Sequence, residues 1–248
     1  MQAGMTGHEA GGRYNGVKGR QRRNLPQDDR PMFSLEAFYK TYRVDSTRTT
    51  VRGRSFTFLR PLDIEGFLNE GDPLNGFPLW AKIWEASYLL ADHLAQRKAE
   101  AGKRYLEIGC GLGVVGIVVS CFGHDVTMTE GDRHALQFAR ANALINHCEE
   151  EKIIELDWNR DLLEGRFDCI FGSEVAYHER DFDPLLRLFR TLLKPGGEII
   201  LISEARRITI QFYMEMQRFY VVEGQKKRLR GPGTEKTFVL CRMTPKTD

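Results

Sequence analysis

LEIGCGLG, residues 106–113, is the stretch on which the fold turns. Leu106 and Ile108 close a short apolar run that begins at Arg104, and Gly109, Gly111 and Gly113 then break it as G-x-G-x-G. Directly behind follows LGVVGIVVSCF, apolar almost throughout. A buried strand, a glycine turn and an apolar helix form the opening unit of a parallel α/β sheet. Glycines at such a turn accept unusual backbone angles and let a ligand approach the main chain. The spacing departs from the dinucleotide fingerprint G-x-G-x-x-G, because position 114 is Val, although Gly116 lies nearby. Taken alone, three glycines fit a tight turn with no ligand equally well.

Downstream the alternation continues. HDVTMTE reads as a strand, DRHALQFARANALIN as an amphipathic helix capped by Asp132, KIIEL and FDCIFG as strands, and DPLLRLFRTLL as a helix. KPGG reads as a turn before the strand EIILIS. RFYVVEGQKKRLRG and TEKTFVLCRM are two further strand-like runs joined through Gly231, Pro232 and Gly233. The expected fold is α/β: a Rossmann-like, doubly wound sheet of seven strands, mostly parallel and closed by a C-terminal antiparallel hairpin.

Upstream, FSLEAFYKTYR has helical spacing and TTVRGRSFTFLRP alternates around Arg-Gly as a hairpin. LWAKIWEASYLLADHL places Trp80, Ile83, Trp84, Tyr88 and Leu89 on one helical stripe. Residues 1–31 are rich in Gly, Arg and polar side chains, too poor in apolar groups to offset ordering, and read as a disordered basic tail. Arg20, Arg22 and Arg23 there suit RNA or an acidic partner, but a solvated tail is the plainer reading; Met32 is an alternative start. The domain expectation is tail 1–31, extension with hairpin 32–77, and Rossmann-like domain 78–248.

Composition excludes little else. Lys and Arg total 36 against 34 Asp and Glu, so global charge argues for neither a nucleic-acid partner nor an acidic membrane. Five widely spaced cysteines without C-x-x-C argue against a disulfide framework or structural zinc and point to a reducing, cytoplasmic setting. No apolar run is long enough for a membrane span, and the N-terminus lacks the apolar core of a secretory signal. A monomer without a metal is expected.

Two acids lift the glycine loop above a plain turn. Glu130 ends the second strand, where a carboxylate can accept both ribose hydroxyls of an adenosine. Glu107 precedes the loop, where it can orient a ligand through its ammonium group or serve simply as a satisfied loop acid. Asp157 follows the third strand, where an adenine edge should lie, and Trp158 beside it can pack on the base; a simple turn is the alternative. No Lys or Arg flanks the loop, so a phosphate-bearing ligand is disfavoured. S-adenosylmethionine, a sulfonium with an ammonium and no phosphate, suits two carboxylates better.

LEIGCGLG, the acid ending strand two, LDW after strand three, LLKPGG and the terminal hairpin together resemble the class I methyltransferases over residues 78–243. The resemblance implies S-adenosylmethionine as cofactor, with Glu107, Gly109, Gly111, Gly113, Glu130, Asp157, Trp158, Ser173 and Trp84 around it. FGSEVAYHE follows the fourth strand, whose carboxyl end faces the reacting methyl in this fold. There Glu174 and Tyr177 form E-x-x-Y, similar to the D/E-x-x-Y/F signature of the seven-strand protein-lysine methyltransferases, the methyltransferase-16 group. LWAKIWEAS and LDW resemble the same group, some of whose members methylate histidine.

That resemblance implies Glu174 and Tyr177 as the catalytic pair, Glu174 orienting the substrate ammonium and Tyr177 shaping the lysine channel. His178 is a candidate base, although a surface histidine is the commoner case. Trp84 walls the methionine end of the cofactor or simply packs with Trp80. The Asn-Pro-Pro-Tyr loop of DNA and glutamine methylation and the paired-glutamate loop of arginine methyltransferases are missing. Rival readings are a small-molecule or tRNA methyltransferase, and a non-catalytic S-adenosylmethionine-binding module.

Overall fold

The computed structural model describes residues 33–68, 77–148, 152–161, 163–231 and 234–246. The expectations placed on the tail 1–31, on Met32 and on Pro232 and Gly233 lie outside these residues. Helix α1 (Leu35–Thr41) leads into hairpin β1 (Val44–Val51) and β2 (Arg54–Pro61), and α2 (Glu85–Ala95) leads into β3 (Arg104–Ile108). Then follow α3 (Val114–Cys121), β4 (Asp125–Glu130), α4 (Arg133–Ile145), β5 (Ile153–Glu155), β6 (Phe167–Ser173), α5 (Phe182–Leu192) and β7 (Leu193–Glu204). Helix α6 (Arg207–Met216) and strands β8 (Tyr220–Gly231) and β9 (Thr234–Pro245) complete the chain. The main sheet runs β5-β4-β3-β6-β7-β9-β8, parallel up to β7 and antiparallel through β9 and β8. This is the expected seven-stranded, doubly wound arrangement.

Period-two alternation sorts the strands between two cores. Tyr105, Phe171, Ile200, Ile202, Phe238 and Leu240 join α2, α3 and α4 on one face. Their neighbours Leu106, Ile108, Ile170, Ile199, Leu201 and Cys241 join α5 and α6 on the other. Both faces are covered, which is why the central strands read as unbroken apolar runs.

Three local expectations change. The stripe from Trp80 to Leu89 is not one helix: residues 79–81 form a 3-10 turn, Lys82 is extended, and α2 begins only at Glu85. The indole of Trp84 donates to the Leu79 carbonyl at 2.8 Å, which holds this bend, and α2 buries Ala86, Leu90, Ala91 and Leu94 instead. KPGG does not precede its strand but forms the start of β7, with Gly196 at φ +74° beside a register shift between Phe167 and Cys169. Helix α6, on ITIQFYMEM, had no sequence expectation; its buried Phe212, Tyr213 and Met216 supply part of the second core.

The N-terminal hairpin turns at Arg52 and Gly53, both at positive φ as a two-residue hairpin turn requires. It packs on α4 through Asn142, which is fully buried. The Asn142 side chain accepts the Leu59 amide at 2.7 Å and donates to the carbonyls of Leu59 (3.1 Å) and Leu112 (2.9 Å). One amide thus ties hairpin, helix and glycine loop together. Asp132 caps α4 as expected, accepting from the amides of His134 and Ala135.

The cysteine thiols are unbridged. Cys121 ends α3 and Cys148 follows α4, and their sulfurs lie 2.8 Å apart, a proximity that sequence spacing did not suggest. Among the described residues no helix is long and apolar enough to cross a membrane.

Candidate active site

The carboxyl ends of β3, β4 and β6 converge on a cavity of about 310 Å³, a size suited to a small ligand. Its wall contains Glu107, Gly109, Gly111, Glu130, Trp158, Ser173, Glu174, Tyr177, His178 and Trp84. So all the sequence-derived candidates meet there except Gly113 and Asp157. Gly113 sits one turn deeper as the N-cap of α3 at φ +80°, where an added Cβ would stand 2.9 Å from Ile117. Its role in the structure is to turn the chain into α3 through a left-handed conformation, close against Ala139 of α4. The Asp157 carboxylate turns to its own loop, accepting from the amide and side chain of Asn159 and pairing with Arg160 at 2.8 Å. Asp157 therefore caps a turn, while Trp158 beside it enters the cavity wall.

The two loop acids are held by backbone amides. Glu130 Oε2 accepts the Gly111 amide at 2.8 Å, and Oε1 accepts the amides of Gly131 (2.8 Å) and Asp132 (3.0 Å). Glu107 is 2% exposed, and its Oε2 accepts the Gly116 amide at 2.9 Å. A Cβ at position 116 would collide with that carboxylate and with Met128, so Gly116 is required by the close approach of Glu107. Burial pushes Glu107 well above the usual carboxylate range, and the neighbouring Glu130 adds to the rise. Burial raises Glu130 as well, against the pull of its three amides. A cationic ligand bound beside them would favour their ionised forms and offset the effect of burial.

On the β6 side, Glu174 is a non-glycine residue at φ +53°, a strained conformation of the kind concentrated at functional sites. Its Oε1 accepts the Glu204 amide at 2.7 Å, and Oε2 stands 3.4 Å from the Arg206 guanidinium. Burial raises its pKa, with the Glu204 amide and Arg206 working against the rise. Tyr177 is pushed above its ordinary value, first by burial and then by Glu174, so its phenol stays neutral. The Tyr177 and His178 amides both donate to Asp181, which fixes this loop. The Ser173 hydroxyl meets that of Ser87 of α2 at 3.1 Å on the cavity wall.

Several wall residues had no sequence signal. Ser87, Lys82, Asp181 and Phe77 line the cavity, and Arg206 reaches its acid from beyond β7. The ammonium of Lys82 lies over the Trp84 ring at 4.6 Å. Arg206 is thirty-two positions from Glu174, and only the parallel pairing of β6 with β7 brings them together.

Fold and cavity define a class I, Rossmann-like methyltransferase. A family profile described as lysine methyltransferase matches residues 76–219. The protein N-lysine methyltransferase METTL21A of Danio rerio is 35% identical over 131 residues, covering 50% of this chain and 59% of that protein. The EEF1A lysine methyltransferase 3 of Mus musculus is 31% identical over 130 residues, covering 51% and 56%. Each match thus spans less than two thirds of the relative. In fold, the T. thermophilus 16S rRNA N2 G1207 methyltransferase, solved with AdoMet and guanosine, superposes with a TM-score of 0.57 at 17% identity, over 82% of this chain and 51% of that one. The chain belongs to the lysine methyltransferase family, whose cofactor is S-adenosylmethionine.

The residues present fit that cofactor. The wall offers amide-anchored carboxylates, aromatic surfaces from Trp84 and Trp158, and a Trp158 indole N–H that is buried without a partner among the described residues. Such a donor set suits a cationic nucleoside with acceptor nitrogens.

Proposed function

We propose that this chain transfers the methyl group of S-adenosylmethionine to the side-chain amine of a protein lysine. The observation that carries the reading is the placing of Glu174 and Tyr177, just beyond β6, on the same cavity wall as Glu107 of β3 and Glu130 of β4, the three strands lying side by side. In the proposed roles Glu130 accepts the ribose hydroxyls, Glu107 faces the cationic methionine end, Trp158 packs on the base, Trp84 walls the methionine end, and Ser173 and the backbone at Gly109 and Gly111 complete the pocket.

The cofactor supplies an electrophilic methyl on a sulfonium. The lysine nitrogen must arrive as a neutral amine; its lone pair forms the new N–C bond, the S–C bond breaks with its electron pair going to sulfur, and the extra proton leaves to water. Such a displacement gains most of its rate from positioning. Glu174 Oε2, whose partner is the long contact with Arg206, is the acceptor available to the incoming ammonium. The neutral Tyr177 phenol forms the channel wall and offers a hydroxyl. Exposed His178, whose loop Asp181 fixes, is left as a rim residue.

We assign the protein to the cytoplasm, a setting that the absence of disulfides among the described cysteines supports, and we propose that it acts as a monomer. Production of S-adenosylhomocysteine tests the reading against a binding module without turnover. Purified chain with cofactor and a protein extract should form it in proportion to added protein and not to added RNA. Cofactor binding without product in either mixture would defeat the enzyme reading.

A further inference from the structure

β8 and β9 pair over their full length, from Tyr220 with Pro245 to Gly231 with Thr234. β7 pairs with β9 only from Ile199–Met243 to Glu204–Phe238. The outer part of the hairpin, from Arg228 with Thr237 onward, therefore runs past the carboxyl end of β7 as a two-stranded ribbon. That end of the sheet is the one that carries the cavity.

The ribbon and its root are strongly basic. Lys226, Lys227, Arg228, Arg230 and Lys236 stand against one acid, Glu235. Glu235 partly serves Arg230 at 3.2 Å and Arg228 at 3.8 Å, whereas Lys226 and Lys227 have no carboxylate at ion-pair distance among the described residues. Lysines on an edge strand also deter sheet-to-sheet pairing, but that duty does not require the charge to sit beside the active site. Two contacts fix the ribbon there. Lys236 pairs with Glu85 at 2.6 Å, next to Trp84 on the cavity wall. The Ala205 amide donates to the Thr237 carbonyl at 2.8 Å, one residue before Arg206, which reaches Glu174.

We propose that the β8–β9 ribbon is a docking arm for an acidic segment of the protein substrate flanking the target lysine. The proposal rests on the protein-lysine reading above. Opposite charge along the ribbon steers the substrate and sets its register, while the cavity receives the lysine. An acidic neighbourhood around the target would thus be a specificity determinant rather than part of the chemistry.

The test uses the full chain and two synthetic lysine peptides, one with Asp and Glu flanks and one with Gln and Asn flanks. Fluorescence anisotropy reads binding, and methyl transfer reads turnover. The acidic peptide should bind about tenfold tighter, as a few exposed charge pairs allow, and the difference should shrink as salt rises. The triple variant Lys226→Glu, Lys227→Glu, Arg228→Glu should erase the preference at unchanged cofactor affinity and unchanged melting temperature. A single Lys226→Glu, exposed on the edge strand, should erase part of it and guards against misfolding of the triple variant. Equal binding of both peptides, a preference that survives reversal, or tighter binding of an RNA oligonucleotide than of the acidic peptide would overturn the proposal. Ribbon-dependent binding with no methyl transfer to any peptide would instead leave the arm standing and defeat the lysine reading.

Discussion

The Glu130 carboxylate accepts the Gly111 amide at 2.8 Å, joining the end of β4 to the middle of the glycine loop. The acid proposed to hold the ribose thus also shapes the loop that receives the rest of the cofactor. Glu130→Ala should therefore weaken cofactor binding by about 1.5–3 kcal/mol, the range for hydrogen bonds to a charged group. Glu130→Gln, which keeps one acceptor oxygen, should lose less. Calorimetry with folded variants checks the order; wild-type affinity in the Ala variant would remove the ribose role.

Burial raises both Glu107 and Glu130 in the folded chain. Between the ordinary unfolded carboxylate value and the raised folded values, the native state binds more protons than the unfolded one. Without ligand, stability from these groups falls as pH rises through that window. A bound cation favours the ionised forms and removes the penalty. The melting-temperature gain from S-adenosylmethionine should accordingly grow with pH across the window, and binding should release protons. Thermal shifts at several pH values read this directly; a gain that grows toward acid would contradict it.

Asn142 satisfies Leu59 and Leu112 from a fully buried position on α4. Asn142→Ala leaves one buried donor and two buried acceptors to find new partners, at about 1–3 kcal/mol for each group left unmade. Urea unfolding should show a loss of at least about 2 kcal/mol, with cofactor affinity reduced because Leu112 belongs to the loop. A neutral result would mean that hairpin and loop are held independently.

The Cys121 thiol is lowered to about 7, chiefly by its hydrogen bond with the Cys148 sulfur and further by Arg54, against the effect of burial. It should alkylate first among the five cysteines at neutral pH, since the thiolate is the reactive form. Cys169 and Cys110 are buried with raised pKa values and should react last. Mass-spectrometric mapping after brief iodoacetamide treatment gives the order.

Much of this architecture was legible in the residues. Strand-turn-helix at Arg104–Cys121 and the acid at Glu130 announced themselves through local periodicity and spacing, the E-x-x-Y pair through its resemblance to a family signature, and all reach one cavity. What escaped was non-local. Helix α6 has a modest apolar pattern whose meaning depends on a sheet face that only the assembled strands create. Trp80 and Trp84 match a helical period, yet the Trp84 indole bond to Leu79 bends the chain before α2 starts. Asp157 sits at the expected sequence position, but the amides of its own turn claim its carboxylate. Ser87, Arg206 and the Cys121–Cys148 proximity arise from tertiary pairing that no sequence window contains.

The most direct test follows the methyl group. The chain, methyl-labelled S-adenosylmethionine and a cell extract are incubated, the proteins are hydrolysed in acid, and the labelled amino acid is identified. The same is done with Glu174→Ala, checked to bind cofactor as the wild type does. The expected result is label on methyl-lysine with the wild-type chain and most of it lost with Glu174→Ala, because in the proposed role that carboxylate serves the transition state and not cofactor binding. Label on histidine would change the acceptor within the same site. Label confined to nucleic acid or small molecules, or undiminished in the variant, would contradict the protein-lysine assignment.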